Sequence, residues 1–539
     1  MRIKAPYILL FLFLLTAAVL RIIIFLNTEH LDFESVFRIH DSYKFSSHPF
    51  NLLQFYQLMT GTGDQVSSYF LNSLLMHFVD KPVVIPRIVS FIFGVLVIIP
   101  YYLLVRLAFP QEVALASVLA LVFYPIHVQL SVVQMANAGS IFFVVLAGYF
   151  LMQYLYKSDS GKNKIYFTVS IISTILATTF RMDAWFLLII LPLLLLQEKG
   201  LKQAVIFFIL SSLYIVSVCY VSYNTYGNPV FFLRNPLNLN PLIDPAAKKG
   251  IFRFLLTRAD MPSYGKYQGF VWFKTIFYTL SFPLSFLGFL RMLAAFKNKK
   301  QYIFFISFWI FLLMLTLKQI ISNCYPFPRY SSIFVIFFLP FVFLGVSMVA
   351  EYIQRLLLLS DFYKRMFVVS LIVITSVYFI FFSVEFLIKD IPKMKYNSFV
   401  YTLSDWIGKN IHSQDIIICS FNDLNLPLYV SRAEIINKFI GGLYGNDEIF
   451  NILNNEKERR LDKKTIDEII DFAQSSPKAL NGAIYIRLLI KRGDSPEPKR
   501  IVFILDYPAY TYLKDHFPDL FQRLETKHYD FIYGGILLL

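Results

Sequence analysis

Apolar runs long enough to cross a bilayer recur along the whole of this chain, and nothing else in the sequence constrains its fold as strongly. They occupy roughly residues 5–26, 84–107, 112–131, 137–156, 165–180, 184–197, 203–223, 271–295, 301–318, 330–350 and 366–388. A spanning helix needs about 20 mostly apolar residues, because a rise of about 1.5 Å per residue must cover about 30 Å of hydrocarbon. So many runs are too frequent for the buried helices of a soluble core, and with 57% of its 539 residues hydrophobic and 16% charged the chain has the bilayer as its main solvent. The pattern predicts a polytopic α-helical membrane protein with about eleven transmembrane helices. The first run follows a basic start, MRIK, but it exceeds a signal-peptide core and Thr16-Ala17-Ala18 makes a poor cleavage site, so it reads as an uncleaved first span.

The formal charge of +15 would suggest nucleic acid in a soluble protein. Here topology and phosphate binding explain it better, and no nucleic-acid partner is expected. Arg2, Lys4, Arg106, Lys157, Lys162, Lys164, Lys199, Lys202, Lys297, Lys299, Lys300, Arg355, Lys364 and Arg365 all fall on one side when the spans alternate. Short loops rich in Lys and Arg stay in the cytoplasm. The N-terminus is therefore expected there, in a multi-pass protein of a plasma (inner) membrane. Cys219, Cys324 and Cys419 are too few and scattered for a disulfide framework or a zinc site.

Three stretches then face outward: a first loop at 27–83, a second at 224–270, and everything after about 389. The last changes character, with short β-rich runs such as DIIICSF, PLYVS, GAIYIRLLI and RIVFILDY between helical patterns. Two domains are expected: residues 1–388 as a transmembrane module, and 389–539 as a soluble extracytoplasmic α/β domain.

The first loop opens with Asp32 and Glu34. Phe33, Val36, Phe37, His40 and Tyr43 recur at three- and four-residue steps, with Glu34, Arg38 and Asp41 opposite, which predicts an amphipathic helix along the membrane surface. A purely structural reading makes Asp32 an N-cap and Glu34/Arg38 an i,i+4 pair. The functional reading gives the acids chemistry, because the second loop is basic, with Arg234, Lys248, Lys249 and Arg253 among its cations. An outward basic loop runs against the positive-inside tendency and fits a lipid phosphate, although long loops carry such residues freely. Arg181 and Asp183 lie between apolar runs too close for a real loop, where they could close a tight turn as an ion pair or face a phosphate cavity. Arg329 follows Pro326 and Pro328 at the same outer level, with Tyr330 beside it. His48 sits in the polar part of the first loop, as an acceptor contact or a plain loop residue. Gln134 and Asn137 could bond sugar hydroxyls or cap the helix after them.

These residues also carry a family resemblance. Asp32-Phe33-Glu34 resembles the acidic pair of the GT-C glycosyltransferases. PRIVSFIFGVLVIIPYYLLVRL (86–107) resembles the Arg-x-x-Ser-x-x-x-Gly second span of their protein O-mannosyltransferase and aminoarabinose-transferase (ArnT-like) branch. YPIHVQLSVVQMANAGSIFFVVLAGYFLMQY (124–154), RMDAW (181–185) and PRYSSIFVIFFLPFVFLGV (328–346) are similar to later segments of that branch, in the same order. The tail resembles its extracytoplasmic domain. Phe33 departs from the adjacent Asp-Glu of many relatives, and an Asp-Lys-Pro-Pro element before the second span is missing.

The resemblance implies transfer of a sugar from a polyprenyl-phosphate donor to an extracytoplasmic protein, lipid or glycan acceptor, with inversion. Asp32, or else Glu34, would be the general base, and Arg329 with Tyr330 would bind phosphate. Asp32 and Glu34 together offer the hard oxygen ligands of a divalent cation, but the branch implies no metal and no cofactor is expected. A flippase of lipid-linked sugars is the rival, although its paired repeats and midplane charges are not evident. A scaffold would not need so many spans. An oligosaccharyltransferase is disfavoured because Trp185, Trp272, Trp309 and Trp406 form no Trp-Trp-Asp motif.

Overall fold

The structure, a computed structural model, describes residues 5–28, 39, 42–43, 45–51, 66–79, 81, 83–133, 135–156, 161–227, 229, 271–295, 298–322, 328–357, 361–390, 416–419, 485–488, 501–506, 514–523, 525–531 and 534–538. The chain divides into two compact units, one of Met1–Glu29 with Phe45–Lys395 and one of His30–Lys44 with Tyr396–Leu539.

Every described element of the larger unit is helical. The apolar runs of the sequence become α1 (Ala5–Asn27), α3 (Val84–Leu96) with α4 (Ile98–Ala108), α5 (Gln111–Phe123) with α6 (Pro125–Leu130), α7 (Asn137–Tyr156), α8 (Asn163–Phe180), α9 (Leu187–Lys199), α10 (Leu201–Ser211) with α11 (Leu213–Tyr226), α12 (Val271–Leu280) with α13 (Phe282–Leu293), α14 (Lys299–Ser322), α15 (Ser332–Leu356) and α16 (Asp361–Asp390). Among the described residues six helical stretches are long and apolar enough to cross a membrane, or seven if the pair α10–α11, bent by 45°, counts as one. Large side chains such as Phe11, Leu26, Val216 and Phe381 are exposed, as a surface solvated by hydrocarbon allows.

Where a run breaks into two helices, a local cause is visible. Pro100 has no N–H for the carbonyl of Leu96, and the helix turns there, at Val97. Tyr124 is forced out of the helical region by the ring of Pro125, with ψ 113°, which ends α5. Ser281 has φ 67°, directly before Phe282-Pro283, and separates α12 from α13.

Helix α15 is buried nearly all round and forms the centre of the unit. Its neighbours approach closely where side chains are small. A Cβ on Gly345 would stand 2.7 Å from the carbonyl oxygen of Leu287, and one on Gly288 2.7 Å from the ring of Phe338. Without a hydrophobic drive between helices in lipid, such close van der Waals contact is what holds them. Phe308 fills the adjoining space, 5.3 Å from Phe338 and 5.6 Å from Phe334 between ring centroids. Helices α7 and α8 form an antiparallel hairpin, tied by Ser170 Oγ donating to Ala147 O at 2.9 Å.

Among the described residues of the first loop, Val66–Phe78 forms a helix, α2. It buries Val66, Tyr69, Ser73 and Met76, a three- and four-residue spacing that the sequence reading passed over. The described elements of the second unit include a short helix, α17 (Pro518–Arg523), and one five-stranded sheet, with order β2 (Tyr485–Leu488), β1 (Ile416–Cys419), β3 (Ile501–Asp506), β5 (Gly534–Leu538), β4 (Glu525–Phe531). β1 and β3 are parallel and the other pairs antiparallel.

Candidate active site

The best-defined polar cluster grows from the end of α8. Its last helical residue is Phe180, and Arg181 is extended, with φ −156° and ψ 142°, before the chain makes a single 3-10 turn over Met182–Phe186. Trp185 pins that turn by donating from Nε1 to Thr178 O at 3.1 Å. Arg181 is thereby turned inward, 3% exposed, with Asp183 equally buried.

Arg181 Nε and Nη2 both donate to Asp183 Oδ2, at 3.0 and 2.8 Å, and Nη1 donates to Asn137 Oδ1 at 3.2 Å. Each bond is charge-assisted, and their directions fix the plane of the guanidinium. One face of the group looks to the ring of Tyr330, 5.4 Å from its centroid, and Arg329 stands 5.5 Å from the same centroid. Two cations thus flank one tyrosine ring, at distances where the ring quadrupole attracts them. Arg329 and Tyr330 are half-buried, on the 3-10 turn Pro328–Ser331 that precedes α15. Ser332 Oγ caps that turn on Arg329 O at 2.8 Å, and Ser331 Oγ lies 3.4 Å from Tyr124 Oη, which also accepts from Thr279 Oγ1 at 3.4 Å.

Arg181, Asp183, Arg329 and Tyr330 therefore come together, although nearly 150 residues separate the two turns. The sequence placed Asn137 near the same level but not its bond to Arg181. His48 is exposed on a turn closed by its own N–H to Phe45 O at 3.2 Å. Asp32, Glu34, Arg234, Lys248, Lys249, Arg253 and Gln134 lie outside the described residues. The amphipathic helix expected over 32–43 lies mostly outside them too.

Arg21 and His127 are buried ionisable groups that the motifs do not single out, and Arg87 enters the sequence analysis only as the first residue of its Arg-x-x-Ser-x-x-x-Gly segment. Arg21 donates from Nη1 to Ala17 O at 3.2 Å and Val122 O at 3.3 Å, His127 Nε2 meets Gly94 O at 3.3 Å, and Arg87 is bonded to three acceptors described below. Their signal was available: an ionisable residue inside an apolar run needs a partner.

Residues 66–223 match the family described as dolichyl-phosphate-mannose-protein mannosyltransferase. That segment holds α2 through most of α11, including Asn137, Arg181 and Asp183. No curated protein matches the sequence. Among solved structures, ArnT from Cupriavidus metallidurans in the apo state aligns over 99% of this chain and 98% of its own, at 12% identity and a TM-score of 0.60. The same protein bound to undecaprenyl phosphate aligns over 98% and 97%, at 11% identity and a TM-score of 0.59. The oligosaccharyltransferase AglB from Archaeoglobus fulgidus, in complex with an inhibitory peptide and a dolichol-phosphate, aligns over 97% of this chain and 72% of its own, at 13% identity and a TM-score of 0.55. Against the apo form of the Archaeoglobus enzyme the chain spans 58% of that protein's length. At such identities the likeness is one of fold. With the matched segment, it bears out the resemblance to GT-C membrane glycosyltransferases.

Proposed function

We propose that this chain is an integral membrane glycosyltransferase that moves a sugar from a polyprenyl-phosphate donor to an acceptor outside the cytoplasm, with inversion at the anomeric carbon. The observation that carries this reading is the Arg329–Tyr330–Arg181 cluster, of which Arg181 lies within the segment that matches a lipid-phosphate mannosyltransferase family. A departing phosphate needs fixed positive charge, and an arginine fork offers parallel donors to its oxygens. Arg329, half-buried at the mouth of α15, is the phosphate ligand in this account. Arg181 is committed to Asp183 and Asn137, so it works as the frame that holds Tyr330 and the field around it.

The acids of the first loop supply the base. An acceptor hydroxyl attacks the anomeric carbon, its proton passes to the carboxylate of Asp32 or Glu34, and the bond from that carbon to the phosphate oxygen breaks, with the electron pair leaving on polyprenyl phosphate. No metal takes part. The cations Arg234, Lys248, Lys249 and Arg253 of the second loop draw the anionic donor towards the membrane surface, and His48 contacts the acceptor side. About eleven spans, an N-terminus in the cytoplasm and a C-terminal α/β domain outside complete the arrangement, which puts both loops on the side where such donors are consumed.

The test is transfer in proteoliposomes that hold the full chain, supplied with polyprenyl-phosphate sugars and candidate acceptors. Release of polyprenyl phosphate together with a glycosylated acceptor supports the reading. Movement of an intact donor across the bilayer, with no cleavage, would replace it with a flippase.

A further inference from the structure

The face of α3 that carries Arg87, Ser90 and Gly94 takes up two other pieces of chain at once. These positions are spaced i, i+3 and i+7, so they stand in one row along the helix. Ser90 Oγ donates to Met135 O at 2.9 Å, and the side chain of Ser131 fills the space that a Cβ on Gly94 would take. Arg87, 6% exposed, donates from Nε to Val132 O at 2.8 Å, and from Nη2 to Phe25 O at 2.8 Å and Thr28 Oγ1 at 3.2 Å. Its guanidinium carbon also lies 3.9 Å above the ring of Phe25.

The two sets of acceptors have different meanings. Phe25 is among the last four residues of α1, whose carbonyls have no partner within the helix, and the negative end of the helix dipole favours a cation there. Val132 and Met135 belong to the turn that leads into Asn137, the residue that holds Arg181. Arg87 therefore links the end of the first span to the turn that orders the Arg181–Asp183 frame. Asp32 follows Thr28 by four residues in sequence. A guanidinium can serve both directions because its fork is rigid, whereas a lysine has one ammonium and can reach one set or the other.

We propose that Arg87 is the positioning residue that sets the root of the acid-bearing first loop against the phosphate-binding side of the site. It touches no substrate, and its effect is to fix the end of α1 and Thr28, four residues before Asp32 in sequence, against the turn that leads into Asn137. The proposal rests on the glycosyltransferase reading above.

The test uses the full chain in proteoliposomes, comparing wild type with Arg87→Ala and Arg87→Lys, and Gly345→Ala as a variant that disturbs packing far along the chain. Two readouts are taken: kcat and donor KM for transfer, and amide hydrogen exchange over residues 25–31 and 131–136. Misplacement by about 1 Å can cost about 100-fold in rate, so Arg87→Ala is expected to lose kcat by about that factor while donor KM stays within about twofold. Exchange should rise in both segments for Arg87→Ala, in one of them for Arg87→Lys, and in neither for Gly345→Ala. A kcat near wild type, or a raised donor KM with unchanged kcat, overturns the proposal. If the wild type transfers no sugar from any donor, the glycosyltransferase reading fails on its own; exchange unchanged in Arg87→Ala then overturns the tie as well, and a rise in both segments upholds it.

Discussion

Removing Asp183 should expose how much of this fold depends on one buried ion pair. Arg181 Nη2 lies 2.8 Å from Asp183 Oδ2, with side chains 4% and 3% exposed. At an effective dielectric of about 20, two unit charges at that separation attract by about 6 kcal/mol. Desolvating both groups offsets much of this, so the pair adds little net stability, yet breaking it leaves a guanidinium buried without its counter-ion. The expected cost of Asp183→Ala is about 3–5 kcal/mol, whereas Arg181→Met with Asp183→Leu should cost clearly less than the sum of the single changes. The assay is reversible unfolding in mixed micelles by sodium dodecyl sulfate, run as a double-mutant cycle over Arg181 and Asp183. A coupling energy of about 2 kcal/mol or more is expected from groups in one buried network. Additive single effects, within about 0.5 kcal/mol, would refute the claim that Arg181 and Asp183 form one frame.

Gly345→Ala should destabilise by about 1–3 kcal/mol, because the added carbon meets the backbone of Leu287, which cannot rotate away; the same unfolding titration measures it, and an unchanged midpoint contradicts the close packing of α13 and α15. Arg329→Gln should raise donor KM by about 10-fold or more, from the loss of a charge-assisted bond of about 1.5–3 kcal/mol to phosphate. Steady-state transfer at varied donor checks this, and an unchanged KM removes Arg329 from the site. Transfer should persist after treatment with a chelator of divalent cations; loss that added Mg2+ or Mn2+ restores would assign a metal to the acids of the first loop.

Much of the helical layout was legible because bilayer solvation writes it into local sequence. Each apolar run became a helix or a pair of helices, and the breaks at Val97 and Tyr124 trace to prolines two or three residues away or directly following. The RMDAW turn was readable as an ion pair, since Arg181 and Asp183 are close in sequence and flanked by apolar runs. What joins it to the rest was not. The bond from Arg181 to Asn137 spans 44 residues and that from Arg87 to Phe25 spans 62, and a single sequence carries no record of which distant acceptor a buried guanidinium will find. Helix α2 escaped for another reason: its buried face mixes Ser68, Asn72 and Ser73 with Val66 and Met76, so its hydropathy stays low although its spacing is helical. The Arg-x-x-Ser-x-x-x-Gly pattern was visible only as a resemblance, and its physical content, a row that seats another turn, came from the contacts of Val132, Met135 and Ser131.

The acids of the first loop carry the chemistry of the proposed transfer. The decisive measurement is transfer from a radiolabelled polyprenyl-phosphate sugar in proteoliposomes, wild type against Asp32→Asn and Glu34→Gln. Loss of a general base costs about 100- to 10,000-fold, so one of the two variants should lose kcat by that order while its donor KM stays near wild type. Undiminished transfer in both variants would contradict the acid-pair mechanism.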